Sequence, residues 1–320
     1  MTRLTYTPPP HLKAEETVSR AMWDVVIALI PVALVAIYFF HWYAVFTIGV
    51  CVVSAVISEL IFRKVKRKKP SIKDGSAVLT GLLVALCFAA TVPWWKAALA
   101  TFIGVGIVKE LAGGLGWNRF NPALLGRVSV FLVPGLFAWL NTHLAGLQPF
   151  FGPVDITTQA TPLAMMHGGM VDMPGMGQMM LAFEGGAMGE VSPLALLIGA
   201  AYLFYRGHIN WRIPVCILAT VFVLGAVMGY NPLQYMLAGG VFLGAFFMAT
   251  DWVTSPILNK GKIIFGIAIG VLIVVFRGIG PVEGVAFAIL IMNAFVPLIN
   301  KWTKRPSFSD PKPATASSGQ

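Results

Sequence analysis

The sequence predicts an all-α polytopic membrane protein of about ten transmembrane helices, built as two inverted repeats of five helices each. Composition is the first observation: 57% of the 320 residues are hydrophobic and only 11% are charged, whereas soluble domains carry roughly 25% charged residues. The second is the length of the apolar runs, such as residues 23–40 and 211–228, which approach the roughly 20 residues that a helix needs to cross a bilayer. The third is an internal similarity.

The apolar runs define the individual elements. We predict spans near residues 23–40, 43–62, 77–92, 94–112, 123–140, 192–205, 211–229, 235–250, 262–277 and 281–300. These spans divide the chain into a cytoplasmic N-terminal segment (1–22), a first membrane repeat (23–140), an external loop (141–191), a second membrane repeat (192–300) and a cytoplasmic tail (301–320). The composition of the tail, rich in Pro, Ser and Ala, predicts disorder.

The internal similarity predicts the repeat. The stretch Leu79–Thr91 aligns with Leu237–Thr250 through a gap of one residue. Each stretch is followed by an apolar span and then by a glycine-containing break, at residues 113–118 and 278–283. Five spans per half would invert the second repeat in the membrane, an architecture that transporters also use. The repeat therefore does not decide the function.

Basic residues predict the orientation. The loop Arg63–Lys69 is a dense cationic patch, and such patches favour the cytoplasm. Residues 206–212 and 259–262 fall on the same side, so we predict cytoplasmic termini and an external segment 141–191. The net charge of +10 is concentrated in short loops beside apolar spans, which indicates topology and disfavours nucleic-acid binding.

The external loop contains a polar, hydroxyl-rich segment, Val154–Leu163. By physical chemistry alone it is an ordinary loop. Thr157 and Thr158 could cap a turn, and Pro162 could begin a helix. From its residues alone, this segment is therefore interpreted as a structural loop.

Together with Lys73–Leu83, Gly113–Ala123 and Leu243–Thr254, this segment resembles the RnfD family in order and spacing along nearly the whole chain. That family and the related NqrB are membrane subunits of ion-pumping redox complexes. The resemblance implies an electron-transfer subunit of an Rnf-type complex that couples ferredoxin and NAD redox chemistry to Na⁺ or H⁺ translocation. Such a chain is part of an oxidoreductase and ion translocase in the inner (cytoplasmic) membrane of a bacterium, with other membrane and peripheral subunits as its partners.

The resemblance also implies covalently bound FMN. The family attaches FMN through a phosphoester to the last threonine of an S/T-x-A-T motif, and Thr158-Gln-Ala-Thr161 fits it, which makes Thr161 the implied acceptor. A loop threonine is a weak nucleophile, so a flavin transferase is implied for maturation. Asp155-Ile-Thr-Thr158 departs from the family's frequent Asp-Gly-Ile-Ser and leaves the acceptor intact. The family also implies a possible non-covalent riboflavin, which no motif places.

Three further residues are candidate cofactor contacts. The glycine-rich break Gly113–Ala123 could bring backbone close to a flavin, with Asn118 and Asn121 as its polar contacts, or it could be only a helix break that allows close packing. The turn at Asp74 could bind a ligand or could cap the third span.

Acidic residues near the predicted span ends could lie on an ion pathway or could form interfacial anchors and salt bridges; they are Asp24, Glu59, Glu110, Asp251 and Glu283. Lys109 or Arg127 could serve Glu110. We expect Arg277 only to snorkel towards the membrane surface.

The cysteines and the methionine-rich segment are interpreted as packing residues. Cys51, Cys87 and Cys216 lie in apolar segments without metal-ligand spacing, so we interpret them as small core residues. The external segment Met165–Met188 has eight methionines, which favours an adaptable packing surface over a Cu(I) site.

Two other functional hypotheses remain at this point. A small-solute channel or transporter would explain the repeat and predicts no bound chromophore. A structural scaffold would leave the motif ending at Thr161 unexplained. Under the redox hypothesis, partners must bind NAD and the iron–sulfur clusters, because the chain has neither a G-x-G-x-x-G after a strand nor a cysteine cluster.

Overall fold

A computed structural model describes residues 17–68, 71–90, 92–132, 162–168, 174–181, 185–279 and 284–304. Every regular element within these ranges is a helix, which confirms the all-α prediction. Three of the helices are long and apolar enough to cross a membrane: Val18–Val65, Asn259–Ile279 and Gly284–Thr303. The chain is therefore a helical membrane protein.

The first helix, α1 (Val18–Val65), is a hairpin of two arms. His41 has a left-handed φ of 48°, which breaks the helix between the predicted spans 23–40 and 43–62. Ser19 Oγ in the first arm donates to Lys73 O at 2.9 Å, and Ser71 Oγ donates to Glu59 in the second arm. Both arms therefore return to the same end of the molecule.

Three more helices complete the described part of the first half. They are α2 (Ser76–Cys87), preceded by a 3₁₀ turn (Ile72–Asp74); α3 (Trp94–Phe102), continued by wider π-type turns (Ile103–Leu111); and α4 (Pro122–Leu132). The 12 residues of α2 extend only roughly 18 Å at 1.5 Å per residue. The predicted span 77–92 thus begins with a helix that is too short to cross the bilayer.

The described residues from 162 onwards contain eight α-helices and one 3₁₀ turn (Met188–Glu190). The α-helices are α5 (Pro162–Gly168), α6 (Met176–Leu181), α7 (Pro193–Tyr205), α8 (Arg212–Val227), α9 (Pro232–Leu237), α10 (Val241–Leu243, continued by π-type turns at Gly244–Met248), α11 (Asn259–Ile279) and α12 (Gly284–Thr303). Our prediction of a continuous span 235–250 is wrong. Gly239 and Gly240 adopt φ of +65° and +67°, a conformation that glycine tolerates, and they separate α9 from α10.

The two short helices meet inside the core. Cys87 Sγ at the end of α2 lies 3.9 Å from Met248 Sδ, at the end of the π-type turns after α10. Cys51 and Cys87 are 0% and 2% exposed, which confirms that they are small core residues, while Cys216 is partly exposed. Met188 is fully buried in the same core, as expected of a packing methionine.

One end of the molecule collects the basic loops. Trp23 Nε1 donates to Lys73 O at 3.2 Å, and the adjacent Asp24 accepts from Arg206 Nη2 at 2.8 Å and lies 2.7 Å from His208 Nε2. Residues 63–68 and 71–74 therefore share one end with the loop at 206–212, and we call it the basic end. Asp24 forms the salt bridge that was one of its two predicted roles.

The opposite end, which we call the distal end, is marked by Arg277. Lys262, near the start of α11, lines a depression together with His208 at the basic end. Arg277 lies four turns further along the same helix, roughly 22 Å away. Gly239, just before α10, lies beside Arg277 at this end.

Candidate functional site

A cavity opens between the two halves at the basic end. Its volume is about 100 Å³. Its walls are apolar and aromatic in part, with Met22, Val25, Leu79, Leu83, Phe246, Phe247 and Trp252. Polar side chains converge on it as well, namely Ser76, Thr80, Lys109, Asn118, Asn121, His208, Thr250 and Asp251.

Both segments of π-type turns contribute to this cavity. Lys109 comes from the segment after α3, and Phe246 and Phe247 come from the segment after α10. Such wide turns are rare and occur frequently at functional sites. Irregular segments from both halves thus face the same space.

Lys109 belongs to a buried ion network in the cavity wall. Its Nζ lies 2.8 Å from Glu59 Oε2, 2.6 Å from Ser76 Oγ and 3.9 Å from Glu110 Oε1. Arg63 Nε joins both carboxylates, at 3.4 Å from Glu59 and 3.3 Å from Glu110. The predicted salt bridge between Lys109 and Glu110 is confirmed, although Glu59 is the nearer partner.

Arg127, the other residue considered for Glu110, lies elsewhere. Its guanidinium is 5.9 Å from the ring centroid of Phe88, just beyond the end of α2. Together with Glu190 and Gly239 it lines a smaller cavity.

The cap at Asp74 agrees with one of its two predicted roles. Asp74 Oδ1 accepts from Ser76 N at 2.9 Å and from Ser76 Oγ at 2.6 Å, while Gly75 occupies the N-cap position with φ +76°. Burial raises the pKa of Asp74, but the Ser76 hydrogen bonds outweigh it, and the pKa is lowered from its ordinary value. The carboxylate therefore stays ionised and holds the start of α2 against Lys109.

Asn118 and Asn121 both line the cavity, and Asn121 is also structural. Asn121 Oδ1 accepts from Ala123 N at 3.0 Å and from Leu124 N at 3.3 Å, which caps α4. Its Nδ2 donates across the halves to Met248 O at 3.2 Å. Asn118 Nδ2 donates locally to Phe120 O at 3.2 Å. A substitution of Asn118 is therefore the less disruptive probe of the cavity.

Asp251 lies at the cavity and is held by hydrogen bonds. Thr254 Oγ1 donates to Asp251 Oδ2 at 3.0 Å, and Val253 N approaches Oδ1 at 3.4 Å. Trp252 Nε1, in the same segment, donates to His208 O at 2.7 Å. Glu283, the remaining acidic candidate, lies outside the described residues.

The expectation that Arg277 snorkels is wrong. Arg277 is 1% exposed; its Nη1 donates to Tyr235 O at 2.6 Å, its Nη2 donates to Ala238 O, and its guanidinium lies 4.7 Å from the Tyr235 ring centroid. The break after α9 leaves terminal carbonyls without helical donors. A buried guanidinium supplies these donors, so the side chain points inward.

The described cofactor candidates lie at the basic end. Thr158 and Thr161 fall outside the described residues, but Pro162 follows Thr161 directly and begins α5. Leu163 and Arg277 both lie beside Gly239 at the distal end. The structure thus brings Asp74, Asn118 and Asn121 to the basic end. Leu163, two residues after Thr161, lies at the distal end.

Sequence reasoning missed much of the cavity wall. Phe246, Phe247 and Thr80 lie in apolar spans, where their residue types indicate only membrane insertion. The internal similarity was the available signal, because both aligned stretches contribute to the cavity.

The fold and cavity define a class: an all-helical membrane protein in which two short helices meet in the core beside a partly polar, partly aromatic cavity. The sequence profile of the NQR2, RnfD, RnfE family matches residues 5–309. The chain belongs to this family, which confirms the resemblance seen in its motifs.

Similar proteins cover almost the whole chain, and each is the D subunit of an ion-translocating redox complex. The D subunit of the Na(+)-translocating ferredoxin:NAD(+) oxidoreductase complex of Acetobacterium woodii is 39% identical to this chain over 305 residues. The match covers 94% of each chain. The D subunit of the proton-translocating ferredoxin:NAD(+) oxidoreductase complex of Clostridium ljungdahlii is 37% identical, covering 95% of this chain and 96% of the relative. The D subunit of the ion-translocating oxidoreductase complex of Methanosarcina acetivorans is 33% identical. The match covers 93% of this chain and 95% of the relative.

Proposed function

We propose that this chain is the membrane electron-transfer subunit of an Rnf-type complex that couples ferredoxin and NAD redox chemistry to Na⁺ or H⁺ translocation. The observation that carries the proposal is the motif Thr158–Thr161 in a chain of this family. The names of its relatives support the reaction and both candidate ions. Other membrane and peripheral subunits are its partners and hold the NAD and iron–sulfur sites.

The first redox group is FMN, bound through a phosphoester to Thr161 by a separate flavin transferase. FMN supplies one- and two-electron redox chemistry, and the protein sets its position and electrostatic environment. The position of α5 supports this placement, because Leu163, two residues after Thr161, lies beside Gly239 at the distal end. The tether keeps the flavin at the distal end.

The second group is a non-covalent flavin, riboflavin, in the cavity at the basic end. Its aromatic walls fit a planar ring, and the amide of Asn118 can donate and accept hydrogen bonds at ring heteroatoms. Asn121 holds the cavity wall through its bonds to α4 and to Met248 O. Asp74 acts on this site through Ser76, which lines the cavity. The apolar walls would exclude water from the ring.

Replacing Asn118 with leucine tests the cavity. We expect Asn118→Leu to lower the amount of flavin released on denaturation at least severalfold, because the amide is lost while the side-chain volume is kept. The released flavin is measured by fluorescence in the supernatant. Asn259→Leu, at an exposed amide where α11 begins, is the control. Equal release from all three proteins would remove Asn118 from the site.

The architecture proposed with this function is ten spans in two inverted repeats, with both termini and residues 63–73 cytoplasmic and the flavin loop external, in a bacterial inner membrane. The collection of basic loops at one end supports it. Single cysteines at Lys68 and Gln159 test it in intact cells. We expect an impermeant reagent to label only position 159; labelling of only position 68 contradicts the orientation.

Complementation tests the function. Membranes from cells that lack this chain should lose ferredoxin-dependent NAD⁺ reduction, and the wild-type chain should restore it. If that activity is unchanged without the chain while uptake of a solute is lost, the protein is a transporter. The two short helices that meet in the core are the feature that would suit that alternative.

A further inference from the structure

A depression lies on the outer face of the second arm of α1, at the basic end. It is lined by Leu60, Ile61, Lys64, Arg67 and Lys68. The first two residues form an apolar part, and the other three form a cationic part around the end of the helix. None of these residues lines the cavity between the two halves.

The end of α1 is fixed in place by hydrogen bonds to the segment after α3. Lys66 Nζ donates to Glu110 O and, at 3.1 Å, to Leu111 O. Lys68 Nζ donates to Gly113 O at 3.1 Å. These bonds hold the cationic part of the depression in a defined position relative to the rest of the protein.

Lys64 and Arg67 are available to a ligand. Both side chains are exposed, and no acidic side chain within the described ranges forms an ion pair with either of them. Arg67 adopts a left-handed φ of 53°, and its N–H donates to Lys64 O at 3.1 Å. This turn keeps the two cations close to each other.

An apolar stripe leads from these cations into the membrane-spanning part of α1. Val53, Ile57, Leu60 and Ile61 are 37–56% exposed, and spacings of three and four residues place them on the same side of the helix as Lys64. The stripe lies within a helix long and apolar enough to cross a membrane. The cations therefore stand where the apolar surface ends.

We propose that this depression binds an anionic phospholipid. Its phosphate pairs with Lys64 and Arg67, assisted by Lys68, and its acyl chains lie along the stripe that includes Ile57 and Leu60. Cationic pockets at the cytoplasmic ends of membrane helices suit such headgroups. The stripe favours a lipid over an acidic protein, because a protein bound at the cations alone would leave the apolar part uncovered.

The test uses the full chain, delipidated in detergent and titrated with phosphatidylglycerol or phosphatidylethanolamine by native mass spectrometry. We expect the wild type to bind phosphatidylglycerol more tightly. Lys64→Gln with Arg67→Gln should weaken that binding roughly tenfold or more, since each basic residue contributes on the order of a factor of five near an anionic surface. Binding of phosphatidylethanolamine should change less than about twofold.

The control is Lys301→Gln with Lys304→Gln, which removes two exposed cations at the end of α12. This pair should change phosphatidylglycerol binding less than about twofold. Equal losses in both double variants would reduce the effect to net charge and overturn the proposal. Two other results would also overturn the proposal. One is displacement of phosphatidylglycerol by inorganic phosphate at the same concentration. The other is that Lys64→Gln with Arg67→Gln releases a partner subunit from the assembled complex while phosphatidylglycerol binding is unchanged.

Discussion

Thr161→Ala abolishes the yellow fluorescence that we expect the denatured wild-type chain to keep on a gel. The substitution removes the hydroxyl oxygen to which the FMN phosphate would be esterified, so no covalent flavin can form at this position. The loss should be complete, down to the background of chain produced without a flavin transferase. In-gel fluorescence, normalised to the amount of protein, measures it.

Neighbouring threonines provide the controls. Thr161→Ser keeps a hydroxyl on Cβ and should retain partial labelling. Thr157→Ala and Thr158→Ala should still be labelled, although less efficiently if the transferase recognises those side chains. If Thr161→Ala stays covalently fluorescent in the presence of an active transferase, the acceptor lies elsewhere.

Lys109→Met should be the most destabilising of the site substitutions. It removes the cation nearest to Glu59, whose side chain is fully buried, and breaking a buried ion pair from one side costs roughly 3–5 kcal/mol. We expect about 3 kcal/mol, at the low end of that range, because Arg63 still faces both carboxylates. In purified chain the Tm should fall by roughly 5 °C or more.

A double-substitution cycle separates the pair from general damage. Glu59→Gln combined with Lys109→Met should be less destabilised than the sum of the single variants, because neither charge is left unpaired. Lys301→Met, at an exposed lysine on α12, should leave the Tm nearly unchanged. Additive effects at Lys109 and Glu59 would show that the two side chains do not depend on each other.

Much of this architecture could be predicted from the sequence, because apolar periodicity and basic loops report directly on a membrane environment. The break at His41 falls in the gap between the first two predicted spans. The loop Arg63–Lys69 was expected to share a side with residues 206–212, and the two lie at the same end of the fold. The role of Asp74 as a cap followed from local backbone chemistry.

Long-range contacts were the part that the sequence could not supply. Gly239 and Gly240 resemble ordinary helix-packing glycines in an apolar run, yet their left-handed backbone ends α9. The free carbonyls at that break explain why Arg277 points inward, and local sequence near position 277 carries no sign of them. Glu59 is likewise 50 residues from Lys109, so spacing alone could not pair them.

The visible absorbance spectrum of the purified chain, matured with its flavin transferase, tests the redox assignment most directly. We predict a flavin band in the blue for the native protein. After denaturation and washing, part of that band should stay with the polypeptide as bound FMN and part should leave with the non-covalent flavin. A spectrum without any flavin band would contradict the account and favour the transporter.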